Sequence, residues 1–401
     1  MQPVWITGGQ VYDSAKRAFR SADIRIADGR IAQIAKKAPP ARGGSRIDAG
    51  GLYLLPGLID CHVHLALPPE VADPMAPAYR SDAEVALYYA WAAEKTLMGG
   101  VTTARDVGGW NHVEFAVRKA INEGKAKGPR LFLAGKLLSI TTGAVGYYPG
   151  MYDVADSPDQ VRAAARRQIA AGADLIKVMA TGAILSSESE DARAPQFTKL
   201  ELEAAVEVAR DNFKHVAAHG HALRGIRNAV ECGCHSIEHG TYADKSVLQL
   251  MAKQGTFLVP TQCPFAVIAD DPAIRETMPA HLRARLEAAR ETHRKTVALA
   301  YKLGVPIAMG TDAGTPANLH GLNAQECVLM VEEVGMKPED VVHSSTINAA
   351  RLIRQDENLG SLDEGKFADI VASRDNPLKD ITALTRLALV MRGGTVYRNE
   401  I

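Results

Sequence analysis

Apolar and polar positions along this chain follow two rhythms. Toward both ends they alternate with a period of two, as half-buried strands do. Ile24-Arg25-Ile26 runs through Asp28-Gly29 into Arg30-Ile31-Ala32-Gln33-Ile34, and Asp-Gly between alternating runs predicts a hairpin. Residues 4–11 and 47–55 read as further strands, as do Asp369-Ile370-Val371 and Leu389-Val390-Met391, with Gly393-Gly394 turning into Thr395-Val396-Tyr397. Residues 1–56 and 354–401 thus predict one small β-sandwich built from both termini. In residues 57–353 short apolar runs alternate with stretches of helical period. The predicted strands are 58–64, 101–107, 130–136, 175–179, 216–221, 236–239, 256–260 and 306–310; helices at 158–171, 199–212, 223–231, 281–303 and 323–334 fill gaps between them. Eight such alternations predict an α/β fold, a distorted (β/α)8 barrel, with its chemistry at the C-terminal ends of the strands.

Composition narrows the classes of function. Lys plus Arg and Asp plus Glu stand at 46 each, so zero net charge gives no support for a nucleic acid or an anionic membrane as partner. No apolar run approaches a membrane span. The first residues, Met1-Gln2-Pro3-Val4-Trp5, lack the basic and hydrophobic segments of a leader, which points to the cytoplasm, although a chain trimmed of its leader reads the same. The five cysteines, Cys61, Cys232, Cys234, Cys263 and Cys327, are odd in number and scattered, so no disulfide framework is expected. A homo-oligomer is expected.

Chemistry gathers at the predicted strand ends. The run Leu55-Pro56-Gly57-Leu58-Ile59-Asp60-Cys61-His62-Val63-His64-Leu65 closes in two imidazoles two residues apart. Side chains at i and i+2 share one face of a strand, so both rings can address one object, whether a hydrogen-bond partner or a metal. Lys177 lies inside strand four, His219 and His221 close strand five, His239 closes strand six and Asp312 follows strand eight. Each has an ordinary structural reading, a satisfied polar residue or a turn cap. Lys177 fits it worst, because an apolar strand does not bury an ammonium without a partner. All of them at the ends of one barrel point to a metal site.

This arrangement resembles the binuclear amidohydrolase superfamily over nearly the whole chain, including Leu55-Pro56-Gly57-Leu58-Ile59-Asp60 and Gly365-Lys366-Phe367-Ala368-Asp369-Ile370. Gly99-Gly100-Val101-Thr102-Thr103-Ala104-Arg105-Asp106, Lys177-Val178-Met179-Ala180-Thr181-Gly182 and Ser236-Ile237-Glu238-His239-Gly240-Thr241 are most similar to the branch of prolidase-type enzymes and arginine/lysine carboxypeptidases, which also holds the hydrolase of ochratoxin, an N-acyl phenylalanine amide. The resemblance implies two divalent ions per chain: His62, His64 and Asp312 on one, His219 and His239 on the other, and Lys177, carboxylated to a carbamate, bridging both. It implies His221 in the substrate pocket. Many relatives carry a Gly-Gly-His-type turn after strand three where this chain has Thr141-Thr142-Gly143-Ala144-Val145-Gly146, so contacts from that loop do not transfer.

The function expected is hydrolysis of the amide bond of a dipeptide or N-acyl amino acid carrying a free carboxylate. Two metals supply the nucleophile and polarise the carbonyl, and Asp312 serves as general base and then acid. The donor set suits zinc, with manganese, cobalt and iron as alternatives. His221 is the candidate for the substrate carboxylate, with Arg224 beside it and Tyr147, Tyr148 and Tyr152 as a lid. The competing readings are a cyclic-amide hydrolase of the imidazolonepropionase kind, which usually holds one metal and needs no Lys177 bridge, a phosphoester hydrolase, and a non-catalytic metal-binding barrel.

Overall fold

Two glycine pairs shape the sandwich. The predicted strand 4–11 is broken at Gly8-Gly9, where Gly8 takes a φ of +82°, and 47–55 is broken at Gly50-Gly51, where Gly51 takes +80°. Left-handed backbone suits glycine and ends a strand in a beta-branched neighbourhood. The chain therefore changes sheet twice instead of running on. The computed structural model describes residues 3–39, 45–70, 76–270, 272, 276 and 278–401. One sheet has the order Arg30–Ala35, Asp23–Ala27, Val4–Thr7, Ser45–Asp48; the other has the order Thr395–Asn399, Leu387–Arg392, Ile370–Ser373, Tyr53–Pro56, Gln10–Asp13, Ala18–Ser21. Ile6, Ile24, Ile31, Leu54, Ile370 and Leu389 form one buried cluster drawn from both sheets. The hairpin at Asp28-Gly29 forms as the alternation predicts, with both residues at positive φ.

Between the sandwich strands the chain makes the distorted barrel. Its parallel strands are Leu58–Val63, Val101–Asp106, Arg130–Leu133, Ile176–Met179, Val216–Gly220, Ser236–His239 and Phe257–Val259, here numbered one to seven. Strand three does not run through to residue 136. Gly135 turns with a φ of +73°, and a separate strand, Leu137–Ser139, pairs with strand four. Gln168 anchors that break, its Oε1 accepting from Lys136 N at 2.9 Å. The predicted eighth strand is reduced to a bridge between Ile307 and Leu258, and closure onto strand one comes from Cys61 N to Met309 O, 2.9 Å, and Asp312 N to His62 O, 2.7 Å. This irregular seam frees the backbone around Asp312 from a ladder and lets it take a φ of +58°.

Helices close the outer layer where the period predicts, and a capping box sets the start of one of them. Lys199–Asp211 begins at Thr198 and Glu201, which exchange side-chain and backbone hydrogen bonds. The helix predicted at 323–334 is shorter, Gln325–Glu332, because Asn323 turns its amide to Asp60, 2.7 Å away. All five cysteines are free. Among the described residues no helix is long and apolar enough to cross a membrane.

Candidate active site at the barrel mouth

Strand one is buried along its length, and its pleat sends Asp60 and His62 inward together. Asp60 braces the neighbouring segment: it accepts from Thr311 N, Thr311 Oγ1 and Asn323 Nδ2 at 3.1, 2.6 and 2.7 Å. That fixes the turn carrying Asp312 against the strand carrying the histidines. Asp312 Oδ1 then stands 3.4 Å from both His62 Nε2 and His64 Nε2. The outer nitrogens are committed elsewhere. His62 Nδ1 donates to Glu238 Oε2 at 2.8 Å and His64 Nδ1 donates to Gly108 O at 3.1 Å. A carboxylate and a carbonyl can only accept, so a neutral ring at either position turns a bare Nε2 toward Asp312. Two lone pairs and a carboxylate around one point repel one another and are stabilised by a cation.

The other side of the mouth is built from strands four to six. His219 Nε2 donates to Gly182 O at 3.2 Å, which leaves its Nδ1 bare and 3.0 Å from His239 Nε2. His239 Nδ1 pairs with Thr261 Oγ1 at 2.6 Å. His62, His64 and Asp312 offer donor atoms that all lie within 4.8 Å of one another, and so do His219, His221 and His239. Burial holds His64 down to about 4 and puts His219 and His239 well below the usual imidazole range, so these rings are neutral near pH 7. Burial opposes ionisation of Asp312, yet His62, His64 and Lys177 leave its carboxyl below the ordinary value.

Lys177 is 1% exposed and its Nζ has no hydrogen-bond partner. It lines one cavity together with His64 and Asp312 and with His219, His221 and His239. Burial lowers it to about 8. An unpartnered ammonium in such a place is costly, whereas the neutral amine is the form that takes up carbon dioxide, losing a proton, to give a carbamate with two oxygens. The residues present therefore fit a pair of bridged cations: four imidazoles, one carboxylate and one orphaned lysine converge.

Glu238 and Arg105 lie behind this ring. Burial would raise the Glu238 carboxyl, but Arg105 and Lys177 hold it well below the usual carboxylate range. Arg105 Nη2 reaches both Glu238 oxygens, at 2.8 and 2.9 Å, with both side chains fully buried. Strand alternation would point Glu238 and His239 to opposite faces, yet both enter the barrel because His239 takes a φ of +68°. A second buried carboxylate, Glu190, ties together the loops after strands three and four, accepting from Thr142 Oγ1, Ala183 N, Ser186 Oγ and Gln196 Nε2 at 2.8 to 3.0 Å.

Those loops roof a cavity. Its floor is His62, His64, Lys177, His219, His239 and Asp312, and its wall is apolar, with Leu137, Met151, Ile184, Leu185, Phe265 and Leu286 among the lining residues. His221, Tyr148 and Tyr152 also line it. Arg224 does not: it is exposed on the helix Leu223–Glu231. Tyr147 is not in the lining either, and packs edge-on against Tyr148 with ring centroids 5.2 Å apart. Asp312 is the lone carboxylate in the described wall, which contains no arginine.

The family model described as "Amidohydrolase family" matches residues 53–397. Ochratoxinase of Aspergillus niger is 32% identical over 375 residues, covering 86% of this chain and 75% of the relative. A crystal structure of a Xaa-Pro dipeptidase with bound methionine in the active site superposes with a TM-score of 0.92 at 34% identity, covering 99% of this chain and 100% of that one. The crystal structure of the A. niger ochratoxinase gives a TM-score of 0.86 at 30% identity, covering 99% and 96%.

Proposed function

Because the chain belongs to the amidohydrolase family and is a hydrolase, we propose that it cleaves the amide bond of a dipeptide or N-acyl amino acid with a free C-terminal carboxylate and an apolar side chain. The observation that carries this reading is the convergence of bare imidazole nitrogens, Asp312 and the orphaned Lys177 Nζ on the floor of an apolar cavity. His62, His64 and Asp312 would hold one divalent ion, His219 and His239 the other, and carboxylated Lys177 would bridge them, with zinc suited to this donor set. Bound there, the two ions supply an ionised water and polarise the scissile carbonyl. Two donor groups on either side of Lys177 favour this over a one-metal cyclic-amide hydrolase.

The chain's own groups do the rest. Asp312 would take the proton of the attacking water on Oδ1 and return it to the leaving nitrogen, a transfer that needs it ionised beforehand. Glu238 and the Gly108 carbonyl keep the outer nitrogens of His62 and His64 protonated, so that the inner ones stay bare. The apolar wall excludes water and favours a large neutral side chain. Among the described lining residues a lysyl or arginyl side chain would find no carboxylate other than Asp312. His221 faces the same cavity and would bind the substrate carboxylate. Zinc-loaded protein screened against dipeptides and N-acyl amino acids, with amine release as readout, tests the proposal: hydrolysis of phenylalanyl, leucyl or methionyl compounds ahead of lysyl and arginyl ones is expected, and no amine release from any of them would sink it.

A further inference from the structure

His221 stands where it could serve either of two roles. Its donor atom lies with those of His219 and His239 in a group that could hold a metal, yet the same ring lines the substrate cavity. A metal ligand needs a bare nitrogen and a carboxylate needs an N–H, so the position of one proton decides the role. That proton is governed from outside the cavity.

His221 Nδ1 is 2.8 Å from Thr241 Oγ1, and the same hydroxyl is 3.2 Å from Nδ1 of His293 on the helix Ala280–Lys302. The chain is held at each point. Thr296 Oγ1 donates to Thr241 O at 2.9 Å, His221 N donates to Thr181 Oγ1 at 2.9 Å, and Phe265 stacks on His293 with centroids 4.3 Å apart. His293 is fully buried and its Nε2 has no partner. Thr241 can give one proton and accept two; were both Nδ1 atoms to donate, its buried hydroxyl proton would find no acceptor among the described residues, so one Nδ1 donates and the other accepts. If His293 accepted, its own proton would sit on Nε2, a buried N–H with no acceptor, and His221 would show the cavity a bare nitrogen. If His293 donates from Nδ1, only a lone pair is left unfilled at Nε2, the cheaper of the two deficits. Thr241 then donates to His221 Nδ1, and His221 carries its proton on Nε2, toward the cavity.

We propose that His293, acting through Thr241, is a positioning residue that fixes His221 as an Nε2–H donor, withholding it from metal binding and dedicating it to the substrate carboxylate. The inference rests on the amide-hydrolase reading above and deepens it.

The test uses zinc-reconstituted protein at pH 8 and two tetrahedral analogues, N-methylphosphonyl-L-phenylalanine and its C-terminal amide, titrated calorimetrically so that turnover plays no part. The acid should bind wild type at least about tenfold more tightly than the amide, the scale of one hydrogen bond to a charge. Thr241→Val and His293→Leu should each bring that ratio within about threefold by weakening the acid alone, with zinc content unchanged. Thr241→Ser and His293→Asn, which restore a hydroxyl and a donor, should keep it. Thr241→Val conserves volume and carries the test should His293→Leu fail to fold. A wild-type ratio in Thr241→Val, alongside its loss in His221→Ala, would overturn the relay while leaving His221 as the carboxylate reader. Loss of zinc in Thr241→Val would make His221 a ligand and overturn it too. Wild type that binds neither analogue would instead reject the amide-hydrolase reading.

Discussion

The two halves of the barrel mouth are held from behind by different chemistry. On the His62–His64–Asp312 side, His62 leans on Glu238, a carboxylate kept ionised by a buried Arg105. On the His219–His239 side the partners are neutral, the Gly182 carbonyl and the Thr261 hydroxyl. A carboxylate behind an imidazole strengthens it as a ligand more than a hydroxyl does. It also places two charges where no water reaches, an arrangement that is stable only while both partners remain. The first half should therefore bind its ion more tightly and tolerate less change than the second.

The sharpest way to break this comparison is to remove what joins the halves. Lys177→Ala should lower turnover on the order of 10³-fold or more and leave close to one ion per chain, checked by elemental analysis beside amine-release kinetics; two retained ions would mean that the halves bind independently. Asp312→Asn should lower kcat by about 10²–10⁴-fold, the range for a lost general base, while the ion held by His219 and His239 stays. Comparing outer partners then separates the halves directly. Glu238→Gln strands Arg105 and should cost about 3–5 kcal/mol in denaturant unfolding of the zinc-free protein. It should also weaken the tighter ion by about 10–100-fold in zinc titrations. Thr261→Val removes a neutral partner and should cost about 1 kcal/mol; equal losses for the two variants would erase the asymmetry.

A further effect lies outside the mouth. Burial lowers His235 and His320 to about 4, and the unfolded chain titrates them near 6.5. The unfolded state thus takes up their protons first, so stability present above about pH 6.5 is lost as the pH falls toward 4. The Tm of zinc-free protein should decline over that window, and a flat profile from pH 7.5 to 4.5 would show that these rings are not buried neutral.

Much of this could be read in advance because barrel strands deliver their ends to one place. Six residues spread from His62 to Asp312 needed only an alternation of strands and helices to be brought together. What escaped the sequence was whatever departs from alternation. Glu238 reads as an outward neighbour of His239, and only the left-handed backbone at His239 turns both inward. Gly135 splits strand three, and the glycine pairs at 8–9 and 50–51 split strands that the period runs together. Arg105 sat in a recognisable run, but its partner lies 133 residues away, a distance over which no local pattern carries information. Arg224 and Tyr147 were placed by proximity in sequence, and a helix face and a neighbouring ring took them elsewhere.

The sandwich's second sheet sets a schedule for the molecule's birth. Tyr53–Pro56 lies between Gln10–Asp13, made shortly before it, and Ile370–Ser373, made after the whole barrel. At about 5–20 residues per second a ribosome needs roughly a quarter of a minute to a minute to cover that gap. Throughout it one edge of Tyr53–Pro56 offers unpaired amides and carbonyls to whatever strand comes near. The last three strands thus act as a closing stitch, and a nascent chain that stalls before them exposes a template for sticking to its neighbours.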